Sequence, residues 1–417
     1  MKNNATRRLL VVGAGIGQVH LVKKARSQGI HVIVLTLPGS YPCIELADDV
    51  IYCDVFDREK AASEAKARGI DAVVSDQNDL MTPTVAYIAE KLGLPGNSFE
   101  QVQAYCNKNR FRDNCDKLGI PVPKHIAVDN VDFNFSRFDG AFPLIVKPAD
   151  SQSSVGVRRV ENDVELREAL AFALSKSFSH TAIVEEFFVG KEIVCEGFID
   201  GGEYRLLAFA DRKYFELGEL QIPSQTLFPS GVKQELLDRV VECEKKMAAY
   251  IKPAFAITHS EYLIDEESNE IRVVESALRG GGVYISSHLI PYATGIDINS
   301  VLIDKALNRN VDVEAVFAER KDAAAGYVCF YLPEGEIVSV NGIDELLAFD
   351  CVKATFLDEM KPGQRAQKIV HKGLRQGPIL VDGKDREELD RNVAKVQQTL
   401  KIKVKTDAGA IADAVWR

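Results

Sequence analysis

In the first hundred residues short apolar runs alternate with amphipathic stretches of helical period, and that alternation admits few folds. "RRLLVV" precedes "QVHLVKKARSQG", "HVIVLT" precedes "REKAASEAKARG", and "DAVVS" precedes "DLMTPTVAYIAEKLGLPG". Apolar runs bounded by glycine read as buried strands, and the intervening stretches as helices. Strands joined through helices run parallel, in a sheet with helices on both faces. Gly29 and Gly93 mark helix ends, and Asp79 is expected to begin the third helix.

Past residue 105 the pattern changes. A helical stretch, "FEQVQAYCNKNRFRDNCDKLG", is closed by "IPVPKH", whose two prolines impose an extended link. Strands "FPLIVKP", "TAIVEEF" and "EIVCEGFID" follow, separated by a Ser/Gly loop and the helix "DVELREALAFAL". Strands "YRLLAFA", "HSEYLID" and "EIRVVES" come next, with helices near 233–250 and 297–308. The last hundred residues carry "AGYVCFYLP", "GPILVDG" and the helix "DREELDRNVAKVQQTL". A chain of 417 residues suits roughly two to four domains.

Composition narrows the function classes. A net charge of −10 disfavours long-range attraction to nucleic acid or anionic membrane. Eight scattered cysteines, with no CxxC pair, fit a reducing compartment. No stretch approaches the roughly 20 apolar residues of a membrane helix. The N-terminal apolar run is broken by glycine, with no small-residue cleavage site after it, so a cytoplasmic location is expected.

"GAGIG" at Gly13–Gly17 sits where a strand turns into a helix, but Gln18 stands where a dinucleotide fingerprint needs a small residue. The second strand ends "VLTLPGS", without the acidic residue that holds a ribose hydroxyl. Tight-turn packing and acceptor contact both stay open. "SDQND" lies at the C-terminal end of a strand, where Asp76 and Gln77 could meet ligand or solvent. In "FPLIVKPADSQSSVGV" Lys147 interrupts an apolar strand, so it must reach solvent or meet an anion. The serines and glycine behind it offer hydroxyls and open N–H donors to phosphate, or make a plain hairpin. "AIVEEFFVGKEIVCEG" carries Glu185, Glu186 and Glu192, and "THSEYLIDEESNEIRVVES" reads as two strands joined by a polar turn. If these are antiparallel, Glu261 and Glu275 share one site, as Mg²⁺ between protein and phosphate requires. Alone, either glutamate is more often a solvated strand residue. "VVESALRGGG" then adds Arg279 and three glycines.

In order and spacing, Lys108, Lys147 with its Ser/Gly loop, Glu185, Glu186, Glu192, Glu261, and Glu275 with Arg279 resemble the ATP-grasp superfamily of carboxylate–amine ligases. The resemblance covers essentially the whole chain. It implies an α/β and α+β fold in three parts: a Rossmann-like pre-ATP-grasp domain over 1–105, a two-lobed ATP-grasp domain over 106–312 with a lid at about 125–188, and a small α+β domain over 313–417. By the same resemblance ATP and Mg²⁺, with Mn²⁺ as a substitute, are the expected cofactors. Lys108 and Lys147 would neutralise phosphates, with Lys213 a further contact. Ser151, Ser153, Ser154 and Gly156 would form the lid loop. Glu185 and the backbone of Glu186–Phe187 would take adenine, and Glu192 the ribose. Glu261 and Glu275 would hold the metal. Arg279 would clamp a carboxylate or its acyl phosphate, with Gly280, Gly281, His259 and Asp76 lining the substrate.

The implied catalytic set is Arg279, Glu275 and Lys147: a carboxylate takes the γ-phosphoryl group of ATP, and an amine then displaces phosphate. The expected partners are a small carboxylate and an amine, with no nucleic acid or membrane, in a chain that could form a homodimer. Carbamoyl-phosphate-synthase-like and purine-pathway relatives, and a catalytically silent ATP-binding regulator, are the alternatives. One position departs from the family pattern: Ala277 stands where an asparagine usually adds a magnesium contact.

Overall fold

The computed structural model describes residues 6–135, 138–151, 155–218, 221–358, 360–370 and 374–417. Four parallel strands open the chain: β1 (Arg8–Val12), β2 (His31–Thr36), β3 (Asp49–Tyr52) and β4 (Ala72–Val74), in the order β3-β2-β1-β4. Leu9 and Val11 face one core while Leu10 and Val12 face another, so β1 is buried on both sides. That double burial is why its sequence is a continuous apolar run. The sequence reading missed β3, an edge strand in which Ile51 alone is fully buried, leaving no apolar run to recognise. The third helix also starts differently. Asn78, not Asp79, is the cap, its side chain accepting from the Leu80 N–H, and a 3₁₀ turn (Asp79–Met81) leads into the helix Thr82–Leu92. Asp79 is thereby free to reach elsewhere.

Next come β5 (His125–Val128), β6 (Leu144–Pro148), β7 (Arg158–Val160) and β8 (Ala182–Glu186), an antiparallel sheet in the order β5-β8-β6-β7. The helix Asp163–Lys176 buries Leu166, Ala169, Leu170 and Ala173 against Val128, Leu144, Val146 and Val184.

The remaining strands are β9 (Lys191–Asp200), β10 (Glu203–Tyr214), β11 (Pro223–Phe228), β12 (Phe255–Asp265), β13 (Glu270–Ala277), β14 (Ala324–Phe330), β15 (Gly335–Asn341), β16 (Val352–Thr355), β17 (Arg365–Ala366), β18 (Gln376–Gly383), β19 (Lys401–Thr406) and β20 (Ile411–Asp413). Eight of them form one antiparallel sheet, β13-β12-β9-β10-β11-β14-β18-β16, and four a smaller one, β17-β15-β19-β20. β9 and β10 are joined by Gly201 and Gly202 at φ 60 and 85. Both angles are left-handed, as a two-residue turn matched to strand twist requires. Because β11 pairs with β14, the eight-stranded sheet runs unbroken across residues 312 and 313.

The two faces of this sheet do different things. Ile193, Cys195, Tyr262 and Ile264 pack beneath the helix Gln234–Ile251. Val194, Phe198, Ala210 and Ile257 join a core shared with Leu9, Val11, Val32 and Val34 of the parallel sheet. Polar side chains set among the second group therefore lie where the two sheets approach each other. No helix of the described residues is long and apolar enough to cross a membrane.

Candidate active site

Antiparallel pairing of β12 with β13 sets Glu261 directly opposite Glu275, so both carboxylates leave one face of the sheet. β9 lies on the other side of β12 and pairs Glu196 with His259. Arg212 of β10 completes the row: Nη1 donates to Glu192 at 2.8 Å and to Glu261. Glu192 also accepts from the Tyr214 hydroxyl at 2.5 Å. His259 stands between two carboxylates, Nδ1 on Glu196 and Nε2 3.3 Å from Glu261. Burial, outweighing Arg212, raises Glu192 to about 7. Burial also opposes ionisation of Glu261, yet Arg212 and His259 hold it well below the usual carboxylate range. Among the described residues the Glu275 carboxylate has no hydrogen-bond or ion-pair partner of its own, and it borders a cavity.

The cations come from two elements, Lys147 from the β5–β8 sheet and Arg112 and Lys108 from the helix Lys108–Leu118. Lys147 on β6 and Glu185 on β8 are neighbours across antiparallel strands, and Lys147 Nζ sits 2.5 Å from Glu185 Oε2. The second oxygen, Oε1, accepts from Arg112 Nε at 2.7 Å, on the helix Lys108–Leu118. Burial opposes the charge on Glu185, but Arg112 and Lys147 hold it ionised, at about 2. Lys147 is pushed down instead: burial outweighs Glu185, and Arg112 and Lys108 repel it. Two buried cations thus share one carboxylate, leaving uncompensated positive charge. Lys108, at the start of the same helix, reaches the Ser151 carbonyl at 2.8 Å.

Arg279 joins the parallel sheet to these strands. Its Nε and Nη2 donate to the two oxygens of Asp79 at 2.8 and 2.7 Å, a bidentate fork. Asp76, expected to line substrate, is 1% exposed. Both its oxygens serve the protein: they accept from Gly280 N, Gln77 N, Ser286 Oγ and Asn299 Nδ2 at 2.6–2.9 Å. It anchors the glycine turn and is closed to a ligand in this structure. Gly281 N donates to Glu196 at 3.1 Å. A Cβ at Gly281 would lie 2.5 Å from Glu196 Oε1 and 2.9 Å from His259 Nδ1, so only glycine fits. A cavity of about 320 Å³ opens between the lobes, bordered by Asp79, Lys108, Ser151, Glu275, Ala277 and Phe178.

Two family models match: ATP-grasp N-terminal domain over residues 22–96 and D-ala D-ala ligase C-terminus over 115–213. In three dimensions the chain superposes on an L-amino acid ligase from Bacillus licheniformis with a TM-score of 0.79 and 21% identity, covering 95% of this chain and 98% of that one. The chain has the ATP-grasp fold. A phosphoribosylglycinamide synthetase from Anaerococcus prevotii is similar too, with a TM-score of 0.76, 19% identity, and 95% and 99% covered. Among curated sequences, an alanine–anticapsin ligase from Bacillus subtilis is 27% identical over 59% of this chain. A carbamoyl phosphate synthase large chain from Methanobrevibacter smithii is 24% identical over 90%. The matches span 56% of the first relative's length and 38% of the second's.

Within this ATP-grasp scaffold the sequence-predicted residues are unevenly assembled. Lys108, Ser151 and Glu275 border one cavity, while Lys147 and Glu185 form a buried pair outside its lining. The backbone N–H groups of Glu186 and Phe187, expected to face adenine, donate to the carbonyls of Lys124 and Pro143. Lys213 is exposed, and it is its neighbour Arg212 that meets Glu192 and Glu261. Gly156, at φ 80, packs against Pro148. Ser153 and Ser154 lie outside the described residues. The "GAGIG" turn is filled by its own Gln18, which accepts from Gly15 N and donates to the Asp76 carbonyl, so packing explains it.

Reading by motif missed Arg112, Arg212, Glu196 and Asp79. Glu196 carried a usable signal, because it shares a strand face with Glu192 four residues before it. Among the described residues no group of three or more His, Cys, Asp or Glu could form a metal cage. A divalent ion at Glu261 and Glu275 would take its remaining ligands from phosphate and water, which is how Mg²⁺ is usually held. Excess cation on one wall and a carboxylate pair on the other fit a polyphosphate and its metal ion. Burial pushes the Cys106 thiol, on the cavity wall, up to about 12, so no thiolate is available there.

Proposed function

We propose that the chain is an ATP- and Mg²⁺-dependent ligase that activates a small carboxylate as an acyl phosphate and couples it to an amine. Bound MgATP supplies the phosphoryl group. Lys147 and Lys108 would neutralise its oxygens, Glu261 and Glu275 would hold the metal ion, and Glu192 would face the ribose. Ala277, beside Glu275, has no oxygen to add, so the metal depends more heavily on Glu275. Arg279, fixed in orientation by Asp79 and by the Gly280 carbonyl that accepts from its Nη1, would present its remaining N–H donors to the carboxylate and to charge developing during transfer. Positioning and charge neutralisation suffice, without a covalent nucleophile. Residues 1–105, 106–312 and 313–417 serve as working units of this enzyme, in a cytoplasmic setting and as a monomer or homodimer.

One observation carries this reading: the register that sets Glu261 against Glu275, with Glu275 and Lys108 bordering the same cavity. The relatives' names, two ligases, a synthetase and a synthase, agree with it. The test is ADP release from MgATP across a panel of acid–amine pairs, with products identified by mass spectrometry. Release that needs both an acid and an amine supports the ligase. Tight ATP binding with no stimulation by any pair would overturn it in favour of a silent regulator.

A further inference from the structure

The cavity that Glu275 borders has an aromatic wall that the ligase chemistry does not use. That wall holds Phe56, from the loop after β3, and Phe178, from the turn before β8. Both rings are unusually open, 42% and 60% exposed, and their centroids lie 4.7 Å apart across the two lobes. Phe178 is held in place: Asp150 accepts from the Ser177 hydroxyl at 2.7 Å and from the Phe178 and Ser179 N–H groups at 3.0 and 2.8 Å. Arg58 lies on the same wall, its guanidinium 5.2 Å above the Phe99 ring. Among the described residues it has no carboxylate partner, and its Nε has no acceptor. An arginine shelved on an aromatic ring and left without an anion is oriented for one. The loop bearing Phe56, which runs into the helix begun by Arg58, leaves the C-terminal end of a parallel strand, where such sheets place ligands.

We propose that this aromatic wall is a specificity subsite for the carboxylate substrate: it takes an aromatic side chain against Phe56 and Phe178, carrying an anionic group that pairs with Arg58. The substrate is then a two-ended acid, with its reacting carboxylate beside Glu275 and its second anion at Arg58. This inference rests on the ligase reading for which end reacts. About 320 Å³ falls within the range of small-ligand pockets.

Calorimetric titration of the full chain, saturated with Mg²⁺ and a non-hydrolysable ATP analogue, tests it with three probes: acetate, phenylacetate and 4-carboxyphenylacetate. Affinity should rise about tenfold or more at each step, the size of one good apolar or ionic contact. Arg58→Gln should erase the second step alone, and Phe178→Ala the first, while affinity for the ATP analogue stays unchanged. Equal affinities for the three acids, or variants that weaken all three alike, would overturn the subsite. Binding of the ATP analogue is read separately: its absence would sink the ligase reading, while the order of acid affinities would still decide the subsite.

Discussion

Replacing Glu185 with Gln should cost the fold about 3–5 kcal/mol, because it strips the one counter-charge from two buried cations. The structure gives a second, independent route to that size. Glu185 ionises near 2 in the fold against an ordinary 4.5. Two and a half units correspond to about 3 kcal/mol of stability. The sign follows from the direction of the shift. A depressed carboxylate contributes fully above its unfolded value, and that contribution is lost as pH falls from about 4.5 towards 2. Urea unfolding at pH 7.5 measures the loss as a lowered midpoint at unchanged slope. Repeating it between pH 6 and 3.5 should show a part of the wild-type acid sensitivity missing from Glu185→Gln. Arg112→Met in the same background should recover stability, since it removes the orphaned partner. A Glu185→Gln midpoint within about 1 kcal/mol of wild type would refute the reasoning, whatever happened to activity.

Other expectations follow from single contacts. Gly281→Ala forces a methyl group against Glu196 and His259, so it should lower stability by about 1–3 kcal/mol by thermal melt and reduce turnover together. Glu244, buried beneath β12 and hydrogen-bonded by Tyr262, is raised by burial to about 6. A raised carboxylate opposes folding once it must ionise, so wild-type stability should fall as pH rises from about 4.5 through 6. Glu244→Gln should therefore match wild type at pH 4.5 and exceed it by about 2 kcal/mol at pH 7.5, by urea titration. Ala277→Asn restores an oxygen beside Glu275 and should reduce the Mg²⁺ concentration for half-maximal ADP release several-fold; an unchanged requirement would remove position 277 from the metal site.

What was legible in the sequence was whatever depends on neighbours along the chain. Glu261 and Glu275 flank a short polar turn between alternating strands, so their meeting follows from one hairpin register. Lys147 announced itself by interrupting an apolar strand. Arg112 could not, because it lies in a polar helix and its partner Glu185 is 73 residues away. Asp79 was taken for a helix cap, since a carboxylate before an apolar run has that local meaning. Its partner Arg279 is 200 residues on, and Asn78 makes the cap instead. Asp76 shows the reverse error: a polar residue at a strand end suggests a ligand, but here four protein donors converge on it. Strand β3 was invisible because an edge strand with one fully buried side chain carries no periodic signal.

The account turns on a carboxylate oxygen attacking phosphorus at the site between Lys147 and Glu275. In whichever acid–amine pair gives the fastest ADP release, the acid is labelled with ¹⁸O in its carboxylate and the released phosphate is weighed by mass spectrometry. An acyl phosphate intermediate transfers one labelled oxygen to each phosphate, and Glu275→Gln should slow that transfer about 10²–10³-fold without changing the label count. Unlabelled phosphate accompanying stoichiometric product would contradict the account.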